Sequence, residues 1–144
     1  TYGAMFGVFL AQKLKNKPLT IVGDGSQKRD FTYVIDVVNA FYKCINYNGI
    51  INIFNIGTGK PISVNKIAKI LKSKKIYIPK RPGEPDQTSA NSKKANKYLK
   101  WKPVISIEKG ISLVLKNIDY WKNAPVWTPK KIKIATADWF KYLK

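Results

Sequence analysis

Apolar residues recur along this chain at two spacings, and the changes between them mark out its elements. Residues 4–15 place Met5, Val8, Phe9 and Leu14 at helical intervals around Gly7, until Lys17-Pro18 breaks the pattern. Leu19-Thr-Ile-Val22 then reads as a short strand, closed by the turn Gly23-Asp-Gly25. Phe31-Thr-Tyr-Val34 reads as a second strand. Asp36 reads as the N-cap of a helix from Val37 to about Asn46, its carboxylate accepting from free backbone N–H groups.

Further along, Ile51–Ile56 is a compact apolar run expected to be a strand, ending at Gly57-Thr-Gly59. Ser63 is placed to cap a helix whose inner face carries Val64, Ile67, Ala68 and Leu71, and Lys75–Pro79 predicts another strand. Ser92–Leu99 and Ser106–Ile118 predict two more helices, the second apolar at Ile107, Ile111, Val114, Leu115 and Ile118. The predicted fold is α/β: one small mixed lobe of short strands and surface helices over residues 1–122. A tail, 123–144, carries a final helix ending in Trp139-Phe140-Lys-Tyr142.

Composition narrows the classes. With 44% hydrophobic residues in 144, the chain has enough apolar material for a folded core. Histidine is absent and Cys44 is the single cysteine, so histidine general bases, intrachain disulfides and cysteine metal sites are excluded. Cys44 lies among Val37, Val38, Phe41, Tyr42 and Ile45 and is expected to be a small buried hydrophobe. No apolar run is long enough to cross a bilayer and no signal-peptide pattern opens the chain, so the cytoplasm is the expected location. A first residue of threonine, followed at once by an amphipathic stretch, suggests a start inside a longer protein.

The formal charge of +19 raises a nucleic-acid reading. Lysines run along the whole chain without gathering into a block, and asparagine and isoleucine are also plentiful; AT-rich codons account for all three. Of the 27 basic residues only Arg29 and Arg81 are arginines. A guanidinium grips phosphate or carboxylate with a planar fork that an ammonium lacks. Both arginines stand in punctuated segments, Gly25-Ser-Gln-Lys-Arg29-Asp-Phe-Thr-Tyr-Val and Pro79-Lys-Arg81-Pro-Gly-Glu84. Convergence on a phosphorylated ligand is one reading; structural salt bridges or solvated surface positions are the other.

Three further patterns invite chemistry. Gly57-Thr-Gly59 resembles a phosphate cradle but lacks the third glycine and the following acidic residue of a dinucleotide fingerprint, so a plain turn is expected. Tyr98 and Lys102 match a Tyr-x-x-x-Lys spacing, yet they end a lysine-rich stretch before Pro103 with no serine or threonine partner; the match is coincidental. Trp101, Trp121, Trp127 and Trp139 could stack on bases or sugars, but are expected to fill core or interface.

In order, these segments resemble the C-terminal portion of the extended short-chain dehydrogenase/reductases, in the epimerase/dehydratase group that includes nucleotide-sugar 4-epimerases and 4,6-dehydratases. The carrying residues are Lys17 through Ala40, Phe54-Asn-Ile-Gly-Thr-Gly59, Ser63-Val64, Arg81-Pro-Gly-Glu84 and Leu99-Lys-Trp-Lys-Pro103. The resemblance implies a substrate lobe that folds against an N-terminal Rossmann portion, absent here, which binds NAD. It implies that Arg29 and Arg81 contact the diphosphate of a nucleotide sugar, that Glu84 takes the ribose hydroxyls, and that backbone from Thr20 to Val22 lies along the base.

The family's glycine-rich NAD loop and catalytic Tyr-x-x-x-Lys lie upstream in that pattern, so no catalytic residue is assigned to this chain. The resemblance favours a UDP-sugar epimerase, homodimeric when intact, over a dTDP- or UDP-sugar dehydratase. A basic module for nucleic acid and an inert remnant are the rivals of another class.

Overall fold

The computed structural model describes residues 4–143. Helix α1 (Met5–Leu14) buries Val8, Phe9, Leu10 and Ala11 against strand β1 (Leu19–Val22), whose four residues are all buried. β1 pairs in parallel with β4 (Lys75–Ile78), Leu19 opposite Lys75 and Val22 opposite Ile78. A parallel neighbour needs a crossover. The intervening chain includes α3 (Val64–Ile70), which Ser63 caps by accepting from Lys66 N at 3.2 Å. Val64, Ile67, Ala68 and Leu71 pack on Leu19 and Ile21, joined by Ile111 of α5 (Ile107–Lys116).

A second, smaller cluster unites Ala40 of α2 (Val34–Ile45), Ala95 and Leu99 of α4 (Lys93–Leu99), and Trp101. The Trp101 indole N–H donates to Asp36 O at 2.8 Å, so this tryptophan is a core filler with its polar edge satisfied. After α5 comes a turn of 3-10 helix, Ile118–Trp121, then α6 (Pro129–Ala135) and α7 (Ala137–Tyr142). Ile132 is buried and the Trp127 carbonyl accepts from Gln12 Nε2 at 2.7 Å, so this last segment is packed on the lobe.

Four expectations are corrected. The second strand is not Phe31–Val34 but β2 (Lys28–Arg29), antiparallel to β3 (Ile62–Ser63); Phe31 instead packs edge-on to Phe6, with ring centroids 5.2 Å apart. Asp36 is not the N-cap of α2, which starts at Val34 behind Tyr33. Its carboxylate turns inward and accepts from Val104 N and Ile105 N at 3.2 and 3.0 Å, tying the segment after Trp101 beneath the helix. Ile51–Ile56 forms no strand: among the described residues no neighbouring strand takes its N–H and C=O groups, and Ile53 is 72% exposed.

Cys44 is exposed, because the apolar stripe of α2 faces outward. Val34, Ile35, Val38, Phe41, Tyr42 and Ile45 form that stripe, with Phe41 70% and Ile45 75% exposed, while the helix buries only Asp36 and Ala40. A regular amphipathic pattern does not say which side its partner lies on.

Candidate functional site

The turn Arg81-Pro-Gly-Glu84 is set by its own sequence. Proline fixes the first central φ, glycine takes the second at +71°, and Glu84 N reaches Arg81 O at 3.5 Å. The turn brings the carboxylate back to its own arginine: Arg81 Nε lies 3.2 Å from Glu84 Oε2, and Nη2 donates to Oε1 at 3.4 Å. Arg29 arrives from another direction. β2 is held on one edge by β3 and on the other by the 86–88 segment, through Lys28 N to Asp86 O at 2.8 Å and Thr88 N to Lys28 O at 3.1 Å. Its guanidinium donates to Glu84 Oε1 at 3.2 Å. Two guanidinium groups from distant parts of the chain therefore meet on one carboxylate, leaving a net positive charge in a cluster largely shielded from solvent.

Thr20, Val22, Arg29, Arg81 and Glu84 line a single cavity together with Met5, Phe9, Gln27 and Val64. Its volume is about 80 Å³, well below the roughly 300–1,000 Å³ of small-molecule sites. The Thr20 side chain is already engaged: Gln12 Nε2 donates to its Oγ1 at 2.9 Å, and Gln12 Oε1 accepts from its backbone N–H at 3.2 Å. Gln27 Nε2 donates to Val22 O at 2.9 Å. Neither glutamine is singled out by motif, though a polar residue among the apolar positions of α1 is a signal that Gln12 satisfies something buried. Trp139, expected to fill core or interface, is 37% exposed, and its ring lies under the Arg81 guanidinium at 5.2 Å.

Beside the cluster, the Gly57-Thr-Gly59 turn does hold an anion, and it is the chain's own. Asp30 Oδ1 accepts from Thr58 N at 2.9 Å and from the Thr58 hydroxyl, while Oδ2 accepts from Gly59 N at 2.9 Å and Ala90 N at 3.0 Å. Burial disfavours the charged form, but the Thr58 hydroxyl and the three backbone N–H groups outweigh it and hold the Asp30 carboxyl below its ordinary range. A Cβ on Gly57 would stand 2.4 Å from Ala90 Cβ and 2.9 Å from Asp30 Oδ2, which explains the glycine. With these donors spent on Asp30, the turn does not fit the pyrophosphate of NAD.

A family model described as GDP-mannose 4,6 dehydratase matches residues 6–114. The chain is 38% identical over 136 residues to UDP-glucuronate 4-epimerase of Thermodesulfobacterium geofontis, an alignment covering 88% of this chain and 40% of that protein. Among solved structures, UDP-glucose 4-epimerase of Thermotoga maritima with UDP-glucose superposes with a TM-score of 0.73 at 32% identity, over 85% of this chain and 41% of the other. UDP-glucuronic acid 4-epimerase of Bacillus cereus, in complex with UDP-glucuronic acid and NAD, gives 0.74 at 33% identity, over 85% and 40%. The chain thus spans about 40% of the length of the relatives it matches. Matching them in sequence and in fold across most of its own length, it belongs to the NAD-dependent epimerase/dehydratase family of extended short-chain dehydrogenase/reductases.

Proposed function

We propose that this chain is the nucleotide-sugar-binding lobe of an NAD-dependent UDP-sugar 4-epimerase, incomplete for catalysis on its own. The observation that carries the reading is the meeting of Arg29 and Arg81 on Glu84 inside one cavity with Thr20 and Val22. A carboxylate engages a guanidinium fork much as a phosphate does. Glu84 thus occupies the place of a diphosphate oxygen and releases the arginines when the ligand arrives, turning to the ribose hydroxyls. The cavity enlarges by that movement. These contacts position the substrate, so their loss weakens binding rather than altering the chemistry.

The partner in this reading is an N-terminal Rossmann portion of the same enzyme, which supplies the NAD loop and the catalytic Tyr-x-x-x-Lys; the assembled enzyme is a cytoplasmic homodimer. Two features support that partner. The outward apolar stripe of α2 has no cover among the described residues, and the apolar run 51–56 forms no strand there, with Ile53 72% exposed. A Rossmann sheet offering one more edge would cover the stripe and pair the segment at once. A sugar-nucleotide 4,6-dehydratase is the alternative within the family.

Titration of UDP-glucose into the wild-type chain and Arg81→Lys at two salt concentrations tests the assignment. Replacing the planar fork by a point charge weakens binding about tenfold. One feature favours a polyanion reading: Lys66, Lys69, Lys72, Lys74 and Lys75 ring an open hollow around the end of α3. That reading predicts DNA binding that falls steeply with salt. Tight DNA binding without any UDP-glucose binding refutes the nucleotide-sugar assignment.

A further inference from the structure

We infer that Trp139, on the last helix, is a positioning residue for the proposed diphosphate clamp; the inference rests on the nucleotide-sugar reading. The indole stands behind the Arg81-Glu84 turn and touches it twice. Its Nε1–H donates to Pro82 O at 2.7 Å, and its ring faces the Arg81 guanidinium, 5.2 Å from centroid to Cζ. That distance lies within the roughly 6 Å over which a guanidinium gains from an aromatic face. At 37% exposure Trp139 is not held there by burial alone; its contacts with the turn set its place.

The helix that carries it is anchored. Ile132 is buried, the Thr136 hydroxyl closes onto Ile132 O at 2.8 Å, and Trp127 O is held by the same Gln12 that holds Thr20. The C-terminal segment therefore forms a strap, fastened at one end to Gln12 of α1, which also holds Thr20 of the cavity wall, and at the other to the turn that carries Arg81 and Glu84.

The physical consequence concerns Arg81 after Glu84 leaves it. An arginine side chain is long and rich in rotamers, and ordering it on a ligand costs affinity. The indole supplies a fixed plane on which the guanidinium stays flat with its fork toward the cavity. Trp139 touches no ligand in this scheme and acts through Arg81.

Isothermal titration of UDP-glucose and of inorganic pyrophosphate into the chain separates the outcomes. Trp139→Leu removes ring and N–H, and is expected to weaken both ligands about three- to tenfold. Trp139→Phe keeps a ring under the guanidinium and restores most of that loss. The loss falls below about twofold in the Arg81→Lys background, because coupled residues are not additive. Equal losses from Trp139→Leu with arginine or lysine at that position mean a merely structural role and overturn the inference. Wild-type affinity in Trp139→Leu also overturns it, while leaving the nucleotide-sugar reading intact. No binding of either ligand by the wild type overturns both.

Discussion

Replacing Asp30 by asparagine isolates what the internal carboxylate contributes. The substitution preserves shape, and the amide oxygen can still accept from Thr58 N and the Thr58 hydroxyl. Its NH2 group would face Gly59 N and Ala90 N, which now donate to Oδ2 at 2.9 and 3.0 Å. Two donors lose their acceptor and meet a third donor. Hydrogen bonds to charged groups are worth about 1.5–3 kcal/mol each, and local relaxation recovers part of that, so the expected destabilisation is about 2–4 kcal/mol. The pH dependence has a definite sign. The folded carboxyl titrates below its ordinary range, so the unfolded chain binds the proton more readily. Wild-type stability from this group is complete above the unfolded value of about 3.9 and is lost as pH falls through the lower folded value. Urea denaturation of wild type and Asp30→Asn, from about pH 7 down to about pH 2, should show a gap that is widest at neutral pH and closes in acid. A gap below about 0.5 kcal/mol at neutral pH, or one that does not change with pH, refutes the account of Asp30 as a charged plug.

Gly57→Ala should destabilise by about 1–3 kcal/mol, since the new methyl meets Ala90 and Asp30; thermal unfolding measures it. Asp36→Ala removes the acceptor of Val104 N and Ile105 N and should cost about 2–5 kcal/mol, with Trp101 fluorescence reporting exposure of the smaller core. Ile67→Ala, at a fully buried position of the main core, should cost about 2–5 kcal/mol in denaturant unfolding. Ile45→Lys should leave stability within about 0.5 kcal/mol while lowering dye binding and self-association, because the residue lies on the uncovered stripe of α2.

Features governed by neighbours in the chain were legible from sequence. α1, β1, the Ser63 cap and the Arg81-Pro-Gly-Glu84 turn depend on periodicity, capping and the φ preferences of proline and glycine, all of which act within a few residues. The pairing of Arg29 with Arg81 was suggested by their rarity and by family resemblance. Their meeting on Glu84 depends on β2, β3 and the 86–88 segment docking side by side. The glycine turn looked like an anion cradle, but sequence does not say whether its anion is a ligand or Asp30, twenty-nine positions from Gly59. The pattern of α2 announced an apolar face, and the composition of 51–56 announced a strand; both depend on what lies opposite. Periodicity records that a residue wants a neighbour, whereas packing and pairing are settled only by long-range contacts that place one there, or leave the position open.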